Sequence, residues 1–532
     1  MSPARVRRSD SVLFMDRFQY KPYLFFLLAA ELMICITLIV TFFTFTPDDG
    51  FIYLYGARQL AQGQIPNYTP GENPTNAFGS PLWLLMLAPS YLLSLSPLVW
   101  AKIAGLLLLL GAAYITGLIV LALVDGLEKR LAFAASGSML CLPFMVACAL
   151  NTLDTLLAVF SLMLALYCVI KLIQARGGYA RTGGAIGLML ISRPDAFLSA
   201  SILLLAVLFA LSRDGRERRR KAIALILGML PGLLLLAGTM IAFGEIMPNS
   251  AAAKSPGLSD LFSLSIYRNA FFTWLRDFSK DSILYLLYVS LIPFCMLIKD
   301  RLLAVLFVAL TLVHLGVFLL AQDWMGLHRL YLPSIAVALA AFLVVTASAF
   351  ERKERLVIPL AILVLMAPMS YSHWKAFAGY NYSIPGSPAE RMGRFIAAQK
   401  LPDSYLMTGD MGVVPYYGAI PTIDSNDTPI CNKWRRTHID DVEYIFSRNV
   451  DFIIMINACA DGRGMPVFSI NEKIFAGGYF QENYVRIGVA TWRSAIEGHR
   501  EREFAIGYGR YFHLYVSKRI ADRLSDKRFI VF

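Results

Sequence analysis

Residues 23–45, YLFFLLAAELMICITLIVTFFTF, run straight into Thr46-Pro47-Asp48-Asp49-Gly50, and this junction fixes the class of the chain. The apolar stretch is long enough to cross a hydrocarbon core, which takes about 20 helical residues. Pro47 is expected to end that helix and Gly50 to allow a sharp turn. Two adjacent carboxylates at the edge of a bilayer are costly and point to a function. A carboxylate held there can act as general base on a polar acceptor while a lipid-linked donor reaches it from the bilayer. The plainer reading is a solvated turn that closes a helix.

Composition agrees with a membrane protein. Hydrophobic residues make up 57% of 532 positions, above the roughly 45–50% of soluble domains, and the mean hydropathy is +0.57. The net charge of +12 is no nucleic-acid signal, because the basic residues fall in short gaps between apolar runs. Arg5, Arg7, Arg8, Arg17 and Lys21 precede the first run, which lacks a small-residue cleavage site and reads as a retained anchor.

Further apolar runs lie at 98–124, 131–148, 153–173, 181–192, 195–211, 222–243, 282–298, 301–320, 329–349 and 355–371. Lys129/Arg130, Lys171/Arg176/Arg181, the cluster 213–221, Lys299/Arg301 and Arg352/Lys353/Arg355 occupy alternate gaps. By the positive-inside rule these gaps are cytoplasmic. The expected fold is a polytopic α-helical membrane protein of about 11 spans, with the N-terminus cytoplasmic. The expected location is a bacterial cytoplasmic (inner) membrane. The segments 51–62 and 80–95 are read as interfacial helices in a first outer loop, 46–97. Runs 181–192 and 195–211 are short and are expected to meet at a broken outer end around Ser192-Arg193-Pro194-Asp195.

The chain therefore divides into a membrane module, 1–372, and an extracytoplasmic mixed α/β domain, 373–532. In the latter, 387–399 and 438–448 read as helices and 404–408 and 452–456 as buried strands.

On the outer side this topology gathers Asp48/Asp49, Asn151 with Asp154, Arg193 with Asp195, Asn249 with Lys254, and Asp323-Trp324 with His328 and Arg329. A phosphate needs Arg, Lys or His donors, whereas a sugar needs carboxylates and aromatic faces. Arg193, Arg329, Lys254 and His328 are the candidates for a donor phosphate. Asp154, Asp195, Asn249, Asp323 and Trp324 are candidates for positioning a sugar or acceptor. Taken singly, Arg193 and Arg329 read equally as snorkelling anchors, and Asn249 as a turn residue.

The stretch Pro47-Asp48-Asp49-Gly50-Phe51-Ile52-Tyr53, then Ala57-Arg58-Gln59-Leu60, Gly63 and Ser80-Pro81-Leu82-Trp83, resembles the first outer loop of GT-C fold glycosyltransferases. The likeness continues at Asn151-Thr152-Leu153-Asp154, Ser192-Arg193-Pro194-Asp195, Met247-Pro248-Asn249-Ser250 and Gln322-Asp323-Trp324-Met325. It reappears at Gly409-Asp410-Met411-Gly412, Tyr416-Tyr417-Gly418 and Ile423-Asp424. It is most similar to the terminal arabinofuranosyltransferase branch. The resemblance implies an integral-membrane enzyme using a polyprenyl-phosphate sugar, with a catalytic Asp in the first loop at Asp48 or Asp49. The acceptor is then a cell-envelope glycan or lipid. A prenyl phosphate leaves as a stable anion, so one carboxylate suffices as base and a single displacement inverts the anomeric centre. Repulsion within the Asp pair is expected to raise one pKa. Asp48, fixed by Pro47, is favoured over Asp49 beside Gly50.

No cofactor is required by the sequence. No residue spacing defines a metal site, which leaves a divalent cation open. Cys431 and Cys459 form a disulfide candidate in an oxidising compartment, with a free buried pair as the alternative. Glu31, within the first run, and His314 are read as interior structural residues. A transporter or flippase of lipid-linked sugars is the competing class. It would favour inverted repeats and midplane charges rather than acids gathered at one face.

Overall fold

The structure is a computed structural model describing residues 21–213, 217–249, 251, 268, 272, 282–321, 329–349, 386–399, 401, 403–426, 431, 441–457, 469–491, 511–524 and 530–531. The first helix, Lys21–Phe42, stops short of the end of its apolar run. A second helix, Asp48–Ala61, begins directly after Pro47, whose backbone is extended. The expected turn at Asp48-Asp49-Gly50 is thus the first turn of a helix. Gly50 serves proximity, not bending: a Cβ there would lie 1.9 Å from Thr152 Oγ1. The aspartates gain the helix N-terminus, where backbone N–H groups favour negative charge.

The expected interfacial helix at 80–95 is split into Pro81–Leu87 and Pro89–Leu92. Ser80 caps the first piece by accepting from the Trp83 amide. Among the described residues, five helices are long and apolar enough to cross a membrane: 24–42, 97–123, 155–173, 218–243 and 332–349. Run 131–148 is not straight: Lys129–Cys141 and Pro143–Leu150 meet at 70°, because Pro143 removes an amide from the ladder. Counted as one span, this pair makes six. The other crossings expected among described residues are shorter helices, such as Ala196–Ser212 and Arg301–Val317, so length and composition do not reproduce a count of eleven. Run 355–371 lies outside the described residues.

Small residues allow close approach where long apolar side chains would hold helices apart. Helix Tyr179–Leu190 lies against Arg218–Phe243, and a Cβ on Gly183, Gly228 or Gly232 would sit 2.1, 2.1 or 2.3 Å from a carbonyl oxygen of the opposite helix. Such four-residue spacing of glycines is a packing device of membrane helices. Tyr179–Leu190 and Ala196–Ser212 are separate helices joined through 191–195, as the Ser-Arg-Pro-Asp sequence leads one to expect. Glu31 is buried against Gly137, whose Cβ would meet Glu31 Oε2 at 2.7 Å.

The C-terminal part builds a six-stranded sheet in the order β2-β1-β3-β5-β4-β6. Its strands are β1 Tyr405–Thr408, β2 Thr422–Asp424, β3 Val450–Asn457, β4 Tyr484–Thr491, β5 Tyr511–Ser517 and β6 Ile530–Val531. β2, β1 and β3 are parallel, while β5 runs antiparallel to β3 and β4. Helix Pro388–Ala398, capped by Ser387, matches the expected segment 387–399. The helix expected at 438–448 is described only as Val442–Ser447, capped by Asp441.

The first loop and this sheet interlock. The Thr422 amide donates to the Tyr68 carbonyl at 2.8 Å, and Thr69 Oγ1 donates to the Thr422 carbonyl at 2.9 Å, so the loop pairs with the edge of β2. Arg58 donates to the Tyr416 carbonyl at 3.0 Å and lies over the Tyr416 ring. The Tyr91 hydroxyl donates to the Leu54 carbonyl and meets the Tyr416 hydroxyl at 3.1 Å.

Candidate active site

Asp48 stands where membrane helices and sheet meet. The amide of Gly412 donates to its Oδ2 at 2.9 Å and that of Val413 to its Oδ1 at 2.7 Å. Gly412 is needed for contact, since a Cβ there would lie 1.9 Å from the Asp48 carbonyl oxygen. Burial is the largest influence on the Asp48 carboxyl and pushes it up to about 7. The Val413 amide opposes that shift, Asp49 adds to it and the Gly412 amide opposes it. Repulsion within the Asp pair is therefore real but secondary to desolvation.

Asp49, the next residue, accepts from Arg329 Nη1 at 3.2 Å. The two members of the pair thus face different partners: Asp48 the sheet, Asp49 a guanidinium.

Behind them lies a second cluster. Arg193 Nε donates to Asp195 Oδ1 at 2.9 Å, its Nη1 approaches Asp154 Oδ1 at 3.8 Å and donates to the Arg329 carbonyl at 3.3 Å. Tyr53 donates to Asp154 Oδ2 at 2.6 Å. His314 shares a hydrogen bond with Ser199 at 2.8 Å and lies 3.9 Å from Asp195. Arg193 is thus engaged by two protein carboxylates, and His314 belongs to this network rather than to apolar packing. Trp83 Nε1 donates to the carbonyl of Thr152, which sits at φ 63° in the turn leading to Asp154. A β-branched residue in that region is strained and persists only where its surroundings hold it.

Of the remaining residues expected to bind donor or acceptor, Asn249 alone is among those described. Asn249 is buried, and its amide donates to the Asn76 carbonyl at 2.8 Å, tying it to the first loop. Lys254, Asp323, Trp324 and His328 lie outside the described residues. Cys431 is a buried free thiol, as in the free-pair alternative, and its backbone amide donates to Asp424 Oδ2 at 3.0 Å; Cys459 lies outside the described residues. Among the described residues, no three His, Cys, Asp or Glu side chains converge closely enough to hold a metal ion.

Sequence reading passed over three residues of this centre. Lys102 is buried, and its Nζ donates to the Phe45 carbonyl (2.7 Å), Thr46 Oγ1 (2.9 Å) and the Leu150 carbonyl (2.6 Å). Its signal was a lone charge inside the apolar run 98–124. Tyr53 needed its distant partner Asp154 to acquire meaning. Asp410 was visible only as part of a resembling motif. Its Oδ2 is buried without a hydrogen-bond partner, and its carboxyl is held well above the usual range, by burial first and then by Asp48, Asp49 and Asp424.

No family model matches the chain, and no curated protein matches its sequence. Solved structures do. ArnT from Cupriavidus metallidurans in the apo state is 13% identical at a TM-score of 0.51, covering 82% of this chain and 92% of that one. The oligosaccharyltransferase AglB from Archaeoglobus fulgidus, in complex with an inhibitory peptide and a dolichol-phosphate, is 10% identical at 0.51, covering 87% and 79%. The arabinofuranosyltransferase AftD from Mycobacteria is 14% identical at 0.51, covering 92% of this chain and 41% of that one. These are GT-C glycosyltransferases, and the chain shares their fold.

Proposed function

We propose that this protein is a membrane glycosyltransferase that moves a sugar from a polyprenyl-phosphate donor to a hydroxyl of a cell-envelope glycan or lipid, with Asp48 as general base. The observation that carries the reading is the Asp48 carboxyl itself. It is clasped by two amides and tuned to about 7, the range in which a base works best near neutral pH. The dolichol-phosphate named with AglB agrees with a lipid-phosphate donor. The GT-C fold does not favour the transporter alternative.

Arg329 is the phosphate ligand in this reading. It rests on Asp49 at 3.2 Å, and a donor phosphate competes for the same guanidinium. The acceptor then approaches from the Asp48 side, away from the phosphate. The acceptor O–H gives its proton to Asp48, its oxygen bonds the anomeric carbon, and the carbon–phosphate-oxygen bond breaks with its electron pair leaving on the phosphate. Attack opposite the leaving group inverts the centre. The protein belongs in a bacterial inner membrane, with residues 373–532 as an extracytoplasmic domain. No step needs a cofactor, and added divalent cation is a variable of the assay.

Purified full-length protein, a polyprenyl-phosphate arabinofuranose and a cell-envelope lipid extract provide the test. Asp48→Asn keeps shape but takes no proton, so transfer should fall by about 10²–10⁴. Parental rates in both Asp48→Asn and Asp49→Asn would sink the proposal.

A further inference from the structure

Two parallel strands of the sheet, β1 and β2, end at the same place. Asp410 follows the carboxyl end of β1, and Asp424 is the last residue of β2. The carboxyl ends of parallel strands are where α/β sheets bind ligands. Here that edge faces the first-loop helix, because Gly412 and Val413, just past Asp410, hold Asp48. Asp424 is already satisfied by the amides of Asn426 and Cys431, both at 3.0 Å. Asp48 has its two amides and Asp49 has Arg329. Among the described residues Asp410 differs: its amide donates to Thr408 Oγ1 at 3.3 Å, and its Oδ2 is buried without a partner.

Two further buried groups mark a place for a ligand. The Tyr68 hydroxyl is without a partner although the residue is 1% exposed, and it feels the charges of Cys431, Asp48 and Asp424. Ser425 Oγ, on a residue 0% exposed, also lacks a partner. Buried polar atoms are seldom left unpaired, and each such atom asks for an occupant. Hydroxyl donors beside carboxyl groups match the oxygen-rich face of a sugar or polyol, which both gives and accepts hydrogen bonds. A metal fits less well, since the described carboxylates do not converge on one point.

We propose that Asp410 is a protonated acid of the acceptor subsite: it presents its O–H to the acceptor's hydroxyl face, with Tyr68 and Ser425, while Asp48 takes the acceptor's proton. This rests on the transferase reading above. Burial and the charges of Asp48, Asp49 and Asp424 all favour the neutral form of Asp410, whereas two amides favour the ionised form of Asp48. The charged groups acting on Asp410 are Asp48 and Asp49 from the first-loop helix and Asp424 from β2; Tyr68 and Cys431 lie near Asp48 and Asp424. The C-terminal sheet thus supplies part of the site rather than only covering it.

Two measurements on the full-length protein decide the matter. Difference infrared spectra at pH 7 should show a protonated-carboxyl band in the parent that is lost in Asp410→Asn and kept in both Asp49→Asn and Asp48→Asn. The latter control is needed because Asp48, at about 7, is itself partly protonated. Kinetically, Asp410→Ala should raise the acceptor KM about tenfold, the loss of one strong hydrogen bond, with the donor KM unchanged. Asp410→Asn, which retains a donor N–H, should recover most of that loss. An unchanged infrared band in Asp410→Asn would overturn the proposal, as would a band that appears only after chelation, with activity restored by a divalent cation. Failure of the general-base reading gives a different result, a parental rate in Asp48→Asn. Unequal folding is recognised from the thermal melts of all variants, and the infrared assignment needs no turnover.

Discussion

Two charged clusters flank the first-loop helix, and they are built on opposite plans. Around Arg193, two acids share one guanidinium: Asp195 at 2.9 Å, Asp154 at 3.8 Å, and a Tyr53 hydroxyl completing Asp154. Around Asp48, acids accumulate: Asp49, Asp410 and Asp424 all act on one another's neighbourhood, and Arg329 touches Asp49. A buried cluster organised around a guanidinium fixes structure, although Asp195 Oδ2 and His314 Nδ1 here are buried without a hydrogen-bond partner among the described residues. An accumulation of acids holds its protons high and leaves atoms looking for ligands. The contrast separates residues that a linear reading had put in one donor-binding group.

The largest effect should come from breaking the Arg193 cluster. Arg193→Met leaves Asp154 and Asp195 buried without their cation, which typically costs about 3–5 kcal/mol. Thermal unfolding in detergent should show a large drop. A variant with parental stability and weakened donor binding would return Arg193 to the phosphate role and erase the distinction between the clusters.

Arg329 tests the other side. Arg329→Gln should leave the melting temperature nearly unchanged while weakening donor binding by about 1.5–3 kcal/mol, the worth of hydrogen bonds to a charged group. Arg329→Lys should recover only part, since an ammonium cannot make two parallel bonds to a phosphate. Donor binding by calorimetry checks both, and full affinity in the Gln variant would leave Arg329 a simple partner for Asp49.

The third effect is the pH dependence of stability. The folded Asp48 carboxyl lies at about 7, above the roughly 3.9 of an unfolded aspartate. Between these values the native state holds more protons than the unfolded state. Its contribution to stability is therefore fully present below about pH 4 and declines as pH rises toward 7. Melting temperatures followed from pH 5 to 8 should fall less steeply in Asp48→Asn than in the parent. Equal slopes would place the mismatch elsewhere in the acidic cluster.

Much of this was legible in the chain. The Asp pair at the end of an apolar run, the helix after it and the Ser-Arg-Pro-Asp break each rest on contacts within a few residues, where spacing and proline or glycine chemistry carry the information. The long-range pairings were not legible. Nothing near Asp48 signals amides 364 and 365 positions away, and nothing in Ser192-Arg193-Pro194-Asp195 signals Asp154. Gly50 was misread for the same reason. Local rules assign glycine to a turn, whereas here the crowding comes from Thr152, a residue on another segment. The backbone amide of Cys431 likewise gains its partner Asp424 from another segment.

Lys102 ties together three places in the chain: the segment after the first helix through Phe45, the approach to the Asp pair through Thr46, and the end of the helix that precedes Asp154 through Leu150. One ammonium therefore fixes the distance between the segment carrying Asp48 and Asp49 and the segment carrying Asp154. The helix Pro97–Leu123 that carries the lysine is thereby bonded to the segments of both charged clusters at once.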